Sequence, residues 1–359
     1  MKRSMLTTLA ATLVLAGCAG GETPSPGEPP AAGAVAETAA WTPPRGLEGV
    51  EMSVPADNPI TAAKIELGEL LFFDTRLSRT KDMACLTCHL PEKGWTDGRK
   101  LSPKFDGSMN TRHSPTLYGT GFYPELYWDG RAIGLETQIL AAWKGNMGAD
   151  PEGIAGELDG IPGYASRFEN AFGGPATGDR IVKALATFVR TLQAGDTEWD
   201  RHPQDDASLE SSAIGRGFKV FTEVAQCSLC HAPPLFSDMD FHNTGVGYDT
   251  DQPDLGRGKA LAARAEKAGQ PAPPEAATLQ GAFKTPSLRG VALTAPYLHD
   301  GRFDTLEETV DFMLAGGLDN PHLDEKMKKR DLTEEQRNDL LAFLHALTPA
   351  TSADRPELP

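Results

Sequence analysis

Two short motifs of cysteine and histidine hold the clearest chemistry in this sequence of 359 residues. They read C-L-T-C-H at positions 85–89 and C-S-L-C-H at positions 227–231. Two thiols about one helical turn apart can each add across one vinyl group of a haem, and the histidine that follows can ligate the iron. The residues that would act in this way are Cys85, Cys88, His89, Cys227, Cys230 and His231.

Paired cysteines at this spacing also occur in disulfides, in thioredoxin-like redox pairs and in halves of zinc sites. A redox pair needs no histidine after it, and a zinc ion shared by both motifs would leave one histidine of each unused. The chain has five cysteines, and the two motifs take all of them except Cys18. The sequence therefore predicts two covalently bound haems c, with His89 and His231 as iron ligands.

Small helical domains are the elements that usually position such motifs. The first cysteines of the two motifs are 142 residues apart, which allows one small domain for each haem. We therefore expect an all-α, loop-rich fold with two cytochrome-c-like haem domains packed face to face. The predicted boundaries are 51–206 for the N-terminal haem domain and 207–350 for the C-terminal haem domain, with a tail over 351–359.

Apolar residues at helical spacing support this fold class. Thr61 can cap the first of these segments, and acidic residues begin the last one. A long Gly, Ala, Pro and Gln rich excursion over 249–282 leaves room for one short helix, over 259–267. The other predicted helices cover 60–73, 180–193, 213–225, 305–314 and 333–347.

Composition excludes several classes of protein. The chain has 37 glycines and 28 prolines, about 18% of its residues, and a hydrophobic fraction of 40%. These values are those of a globular protein with much irregular backbone, and they exclude collagen-like, fully disordered and multi-span membrane proteins. A net charge of −16 argues against binding nucleic acid or anionic lipid, because both would repel the protein.

The N-terminus is typical of an export signal. Two cations precede a short apolar run, and the small residues before Cys18 resemble the lipobox of bacterial lipoproteins. We expect a signal peptide over 1–17, a lipidated Cys18 and a flexible tether over 18–50, with a plain secretory signal as the alternative. A second possibility for the tether is a partly ordered arm that packs through Trp41. The mature protein would then lie in the periplasm and touch the membrane through its lipid anchor only.

Five further stretches carry a family resemblance. They are 54–59 (VPADNP), 72–78 (FFDTRLS), 94–97 (GWTD), 128–131 (WDGR) with Gln138, and 283–303 (FKTPSLRGVALTAPYLHDGRF). With the two haem motifs, they resemble the bacterial di-haem cytochrome c peroxidases and the related MauG-type enzymes. The resemblance spans about 54–348 and implies an all-α fold, with two haems near the domain interface and a tryptophan between them.

The resemblance assigns a role to two further residues. Met313 stands where the peroxidases place the sixth ligand of the C-terminal haem, opposite His231. The alternative is that Met313 packs with Leu306 and Val310 on an amphipathic helix. Trp128 matches the tryptophan between the haems, and its alternative role is that of a buried structural aromatic.

The sequence departs from the family pattern around the N-terminal haem. Phe105 stands where many of the peroxidases have a distal histidine, which leaves the iron opposite His89 open. His113 replaces an asparagine beside a calcium ion that the carbonyls of Thr294 and Pro296 would hold, so one calcium ion is possible. His113 could also cap a turn or ligate haem.

A second departure concerns the acid of the active site. Asn146 takes the place of the catalytic glutamate, and an amide can orient peroxide but cannot exchange a proton as a carboxylate does. Gln138 matches a glutamine of the distal pocket. Asp150 or Glu152, from the same loop, could supply the missing carboxylate.

Three functions follow as hypotheses. The first is a di-haem peroxidase that reduces hydrogen peroxide to water with electrons from a small cytochrome c or cupredoxin. The second is a MauG-like oxidase that modifies a Trp or Tyr of a partner protein. The third is a di-haem electron carrier without peroxide chemistry. A homodimer is possible in each case.

Overall fold

The structure, a computed structural model, describes residues 41–202, 207–351 and 354–359, and this part of the chain is mostly helical. The helices are α1 (Ala62–Phe73), α2 (Leu135–Met147), α3 (Pro151–Asp159), α4 (Pro162–Phe172), α5 (Gly178–Thr191), α6 (Glu198–Arg201), α7 (Ala207–Ser211), α8 (Ala213–Lys219), α9 (Gly256–Lys267), α10 (Glu275–Thr278), α11 (Leu306–Ala315) and α12 (Glu334–Ala346). The strands are β1 (Glu125–Leu126), β2 (Ala132–Ile133), β3 (Phe241–His242) and β4 (Phe283–Lys284). β1 pairs antiparallel with β2, and β3 with β4. The all-α, loop-rich class is confirmed.

In each half of the chain, the helix before a cysteine motif crosses a later helix at a glycine. Gly68 of α1 faces the Ala184 carbonyl of α5, and Gly217 of α8 faces the Asp339 carbonyl of α12. A Cβ atom at either glycine would collide with that carbonyl. Only glycine lets the two backbones approach so closely, and each motif therefore follows a helix that is firmly packed.

Two hydrophobic clusters lie on either side of the undescribed segment 203–206. The first is formed by buried residues between positions 67 and 192, and the second by buried residues between positions 220 and 347. The predicted boundary between two haem domains falls between these clusters and stays a prediction.

A buried ion pair joins segments from both halves. Arg289 donates to both carboxylate oxygens of Asp200, at 2.8 and 2.9 Å, and both side chains are almost fully buried. The same guanidinium donates to the carbonyls of Gly46, Ala194 and Pro234. All of its donors point at acceptors, so this arginine fixes three segments against one another.

Most of the predicted helices are present. The Thr61 hydroxyl accepts a hydrogen bond from the Lys64 amide at the start of α1, as predicted. The segments predicted over 180–193, 259–267, 305–314 and 333–347 correspond to α5, α9, α11 and α12. The segment over 213–225 differs, because α8 ends at Lys219 and a π-helical turn follows over Val220–Val224. Helices α2, α3 and α4 were not predicted.

The predicted tether over 18–50 is too long. Residues 1–40, which include the signal peptide and Cys18, lie outside the described residues. Leu47 is 1% exposed and packs with Phe122 and Leu235, and the Arg45 carbonyl accepts a hydrogen bond from the Asp196 amide. Positions 41–50 therefore belong to the folded part, and Leu47 is more deeply buried there than Trp41.

The predicted tail over 351–359 also makes contacts. The Arg76 guanidinium donates to the Pro359 carbonyl, which brings the described end of the chain to α1 and its neighbours. In the described ranges no helix is long and apolar enough to cross a membrane.

The Arg289–Asp200 pair gives a test of stability. Asp200→Asn should lower the free energy of unfolding by about 3 kcal/mol, because it leaves a buried guanidinium without its counter-charge. Asp196→Asn is the matched control, since Asp196 pairs with Arg201 at an exposed position and such pairs contribute at most about 1 kcal/mol. Urea denaturation followed by circular dichroism measures both. Equal losses in the free energy of unfolding would show that the Arg289–Asp200 pair does not hold the two halves of the fold together.

Candidate functional site

Both cysteine motifs line one cavity of about 500 Å³ at the centre of the described fold. In each motif the residues from the first to the second cysteine form a tight turn, closed by a hydrogen bond from the second cysteine's amide to the first one's carbonyl. Burial raises the pKa of Cys85 and Cys227 to about 12, so both are uncharged thiols before they bond to a cofactor. The two predicted haem sites thus share one interior space.

The motif histidines are oriented as iron ligands. Nδ1 of His89 lies 2.8 Å from the Trp95 carbonyl oxygen, and Nδ1 of His231 lies 3.0 Å from that of Phe236. A carbonyl partner requires the proton on Nδ1 and leaves the lone pair of Nε2 free for a metal. Burial lowers the pKa of both imidazoles, which favours the neutral form that ligates iron.

The charge of the cavity wall fits haem. No aspartate or glutamate is among the described residues that line the cavity. The cationic residues that line it are Arg112, Arg131, Lys284, Lys326, Lys328 and Arg330. Each haem c carries two propionates, and Arg112 and Arg131 already pair with Asp129 or Asp254, so Lys284 is the wall cation that a propionate would meet. The residues present therefore fit two haems.

Among these cations, Lys284 gives the strongest indication that an anionic cofactor binds in the cavity. Its ammonium lies 3.5 Å from the centre of the Tyr123 ring, and no carboxylate contacts it within the described part of the chain. Burial lowers the pKa of Lys284 to about 7. A buried ammonium without a counter-charge is costly, and a propionate would supply the missing charge.

Met313 lies on the last turns of α11 and lines the same cavity as His231. On that helix Leu306 and Val310 belong to the second hydrophobic cluster, but Met313 is not among the described members of the cluster. Whether Met313 serves as a ligand or packs with these two residues stays a prediction. A thioether at this place could ligate the iron opposite His231, as the resemblance implies.

Trp128 lies where segments from both halves of the chain meet. Its indole Nε1 donates to the His113 carbonyl at 2.8 Å, and the His113 amide donates to the His299 carbonyl at 2.7 Å. Its own carbonyl accepts from the Lys284 amide at 2.7 Å. Hydrogen bonds thus hold the indole firmly on the cavity wall, and its predicted place between the two haems stays a prediction.

One face of α2 supplies the amides of the cavity. Gln138 and Asn146 both line it, with Ile139, Ala142 and Trp143 at intermediate turns. The Tyr127 hydroxyl lies 3.5 Å from the Gln138 carbonyl oxygen, and burial raises the pKa of this phenol, so it remains a hydroxyl at neutral pH. This face offers hydrogen-bond donors but no carboxylate.

The other residues predicted for this pocket lie elsewhere. Asp150 and Glu152 are exposed, and Glu152 accepts a hydrogen bond from the Gly178 amide, so neither supplies an acid to the cavity. Phe105 packs against Gly148 and under the Arg79 guanidinium. It is not among the described residues that line the cavity, so it neither ligates nor covers the site.

The residues predicted to hold calcium lie beside a histidine. Thr294 and Pro296 line the cavity, but the buried His113 imidazole lies beside them, with Nδ1 2.7 Å from the Arg99 carbonyl oxygen. The Thr294 carbonyl also faces this ring. Calcium takes six to eight oxygen ligands, and the presence of this ion stays a prediction.

Comparisons with known proteins agree with this site. Residues 62–208 match a family model described as di-haem cytochrome c peroxidase. The chain is 39% identical to the methylamine utilization protein MauG of Methylorubrum extorquens over 312 residues, which cover 85% of this chain and 84% of that protein. It is 35% identical to the cytochrome-c peroxidase IdrP1 of Denitromonas iodatirespirans over 333 residues, which cover 85% and 87% of the two chains.

A solved structure gives the same result. A MauG-like protein associated with microbial copper homeostasis aligns with a TM-score of 0.71 and 31% identity, over 88% of this chain and 95% of that one. The chain belongs to the di-haem cytochrome c peroxidase family. It is therefore an oxidoreductase of the peroxidase type, and its family implies two haem c cofactors.

Four residues of this peroxidase's cavity wall were missed by the sequence analysis. They are Arg112, Tyr127, Lys284 and His299. Each is adjacent to a position that the analysis did name, or lies inside the 283–303 run, but only the fold shows that their side chains face the cavity. His299 stacks on Phe283 at 3.5 Å between ring centres, and its Nε2 is buried without a partner.

Met313 can be tested as an iron ligand of this peroxidase. Met313→His should lower the reduction potential of one haem only, because a thioether favours ferrous iron more than an imidazole does. A redox titration followed in the visible spectrum measures this shift. Met327→His is the matched control, since Met327 also lines the cavity. Mass spectrometry should find two haems in both variants, and unchanged potentials would exclude Met313 as a ligand.

Proposed function

We propose that the protein reduces hydrogen peroxide to water with electrons from a small periplasmic redox protein. One molecule of peroxide takes two electrons and two protons and yields two waters. The observation that supports this function is a single cavity with two unlike halves. Met313 lines the cavity on α11, in the half of the chain that carries His231, whereas α2 presents the amides of Gln138 and Asn146 together with apolar side chains and Met147.

The residues divide the work between the two halves. His231 and Met313 would hold the haem that accepts electrons, and His89 would hold the haem at which peroxide is reduced. Bound haem supplies at each place an iron that changes its charge by one electron. Trp128 would lie between the two haems, and the hydrogen bonds to its indole and its carbonyl, which hold it on the cavity wall, support this role.

Peroxide would be oriented by amides. The side-chain amides of Gln138 and Asn146 can each donate one hydrogen bond to an oxygen of peroxide, and the apolar side chains between them limit the access of water. Neither amide can pass a proton, so protons must come from water or from a hydroxyl such as that of Tyr127. Since general acid–base help is typically worth about 10²–10⁴ in rate, we expect slow turnover.

A MauG-like oxidation of a Trp or Tyr on a partner protein is the second candidate. Two observations favour it: the 39% identity to a MauG protein and the lack of a carboxylate among the described residues of the cavity wall. Slow reduction of peroxide would leave time for an electron to be drawn from a partner's aromatic side chain instead. The third hypothesis, an electron carrier without peroxide chemistry, has less support because the chain belongs to a family of peroxidases.

Localisation in the periplasm, with a lipid anchor at Cys18, is part of this proposal. Its support is the signal-like sequence over 1–17 and the small residues before Cys18. The c-type motifs agree with it, because covalent haem attachment to exported chains takes place outside the cytoplasm. A homodimer remains a possibility that nothing in the described chain requires.

The open site gives the decisive test of function. The oxidised protein should contain one high-spin haem, and its Soret band should change when peroxide is added without prior reduction. Gln138→Ala should slow the steady reduction of peroxide, and Asn146→Glu should accelerate it by about 10² or more, the lower value for a general acid. Asn110→Glu is the matched control, since Asn110 also lines the cavity. A fully low-spin protein whose Soret band does not change when peroxide is added would exclude the proposal.

The lipid anchor has its own test. Cys18→Ser should move the protein from the membrane fraction to the soluble periplasmic fraction, or leave it unprocessed, because the serine hydroxyl is not acylated. Immunoblots of cell fractions measure the change. Cys18→Ser protein that remains in the membrane fraction after normal processing would point to another means of attachment.

A further inference from the structure

We propose that the surface beside the second haem motif docks an electron-donor protein with an acidic face. This inference rests on the proposed function, because it names the partner that delivers electrons to the His231 site. The surface consists of Val224, Leu229, Lys326, Lys328 and Arg330, and we call it the basic rim. It combines exposed apolar side chains with cations at the mouth of the cavity.

The apolar part is unusual for this chain. Val224 is 39% exposed and Leu229 is 50% exposed, and few large hydrophobic side chains in the described ranges are as accessible. The two residues flank Cys227, so they lie at the edge where thioether bonds would attach a haem. Exposed apolar side chains next to a redox centre can pack against a partner and expel water from the path of the electron.

The cations follow an alternating pattern. Lys326, Lys328 and Arg330 lie along an irregular segment, and all three line the cavity. Their exposed acidic neighbours Glu325 and Asp331 do not line it. The segment therefore presents positive charge at the cavity mouth, although the whole chain carries a net charge of −16.

These cations are on the wrong side to serve the propionates. Lys326 Nζ donates to the Leu229 carbonyl at 3.3 Å, and Arg330 donates to the Gln226 side chain at 2.8 Å. Both contacts are with the motif turn itself. The vinyl groups that bond to cysteine and the propionates are on opposite edges of the porphyrin, so cations at the cysteine edge are available to another molecule.

Charges close to the basic rim do not cancel it. Asp238 lies 3.9 Å from Lys326, but it is already 2.9 Å from the ring nitrogen of His242. Lys329 is paired with Asp331 at 2.8 Å and is not counted in the rim. Lys328 has no ion pair within the described part of the chain, so its ammonium is free to meet an anion.

The acidic remainder of the protein sets the choice of partner. A basic donor would be attracted to many parts of a chain with a net charge of −16, and so would not be guided to this edge. At physiological ionic strength charges are screened beyond about 8 Å. An acidic face would therefore be attracted mainly by the cations it touches, which places its redox centre beside Cys227 and Cys230.

A pair of donors that differ only in charge tests the proposal. Mitochondrial-type cytochrome c is basic, and succinylation of its lysines makes it acidic while it keeps the same haem. Stopped-flow spectroscopy would follow the reduction of the oxidised holoprotein by each form at 0.1 M salt, without peroxide. The acidic form should react faster. A faster reaction with the basic form would overturn the proposal.

Lys328→Glu and Lys259→Glu are matched variants, since both lysines are exposed and lie outside the haem ligands. Lys328→Glu should slow transfer from the acidic cytochrome by about fivefold or more, which corresponds to about 1 kcal/mol, and Lys259→Glu should not. Binding of the zinc-substituted acidic cytochrome, followed by fluorescence quenching, should weaken in the same way. Equal effects of the two variants would also overturn the proposal.

Peroxide turnover with a small neutral quinol separates this proposal from the function on which it rests. The quinol needs no protein surface, so Lys328→Glu should leave that turnover unchanged. If quinol supports no turnover while the two cytochromes differ as expected, the docking surface stands and the peroxidase function fails. If quinol supports turnover and the cytochromes do not differ, only the docking surface fails.

Discussion

Lys284 lies on the wall of a cavity that has no carboxylate among its described lining residues, and its charge has no counter-charge there. An ammonium such as that of Lys284 is costly to bury unless an anion joins it. Two haems would bring four propionates and a large apolar surface to the same space. The chain can therefore contain many loops, because the cofactors would supply part of the hydrophobic core and the counter-charge for Lys284.

Rigid contacts between the halves matter for the same reason. Electron transfer between two centres needs a fixed separation, and a loop-rich chain does not provide one by itself. Arg289 fixes three backbone segments through hydrogen bonds to the carbonyls of Gly46, Ala194 and Pro234. The hydrogen bonds of Trp128 and His113 link the segments around the cavity. Each of these hydrogen bonds has a backbone carbonyl or the buried Asp200 carboxylate as its acceptor, so each one fixes the position of a segment. Each bond can also break without the loss of the others.

The sequence was sufficient to predict the features that depend on a chemical motif or on a regular local pattern. The motifs at 85–89 and 227–231, the Thr61 cap and the regular apolar spacing of α5 each depend on neighbours in the chain. It was insufficient for α3 and α4, short helices that begin at prolines. It also failed for Asp150 and Glu152, whose direction is set by the packing of the whole domain, and for Leu47, whose partners Phe122 and Leu235 are distant in sequence.

The two halves of the cavity then differ in what limits them. In the proposed function, Met313 would ligate the iron of the His231 half and the basic rim would bind the donor, so the entry of electrons would depend on docking. The His89 half has amides where a carboxylate would speed proton transfer, so the use of electrons depends on protons. An oxidising equivalent held at a site that is slow to receive protons persists longer. Such persistence would suit a protein that draws an electron from an aromatic side chain of a partner. Small changes on α2 could therefore decide whether a protein of this fold reduces peroxide or oxidises a partner.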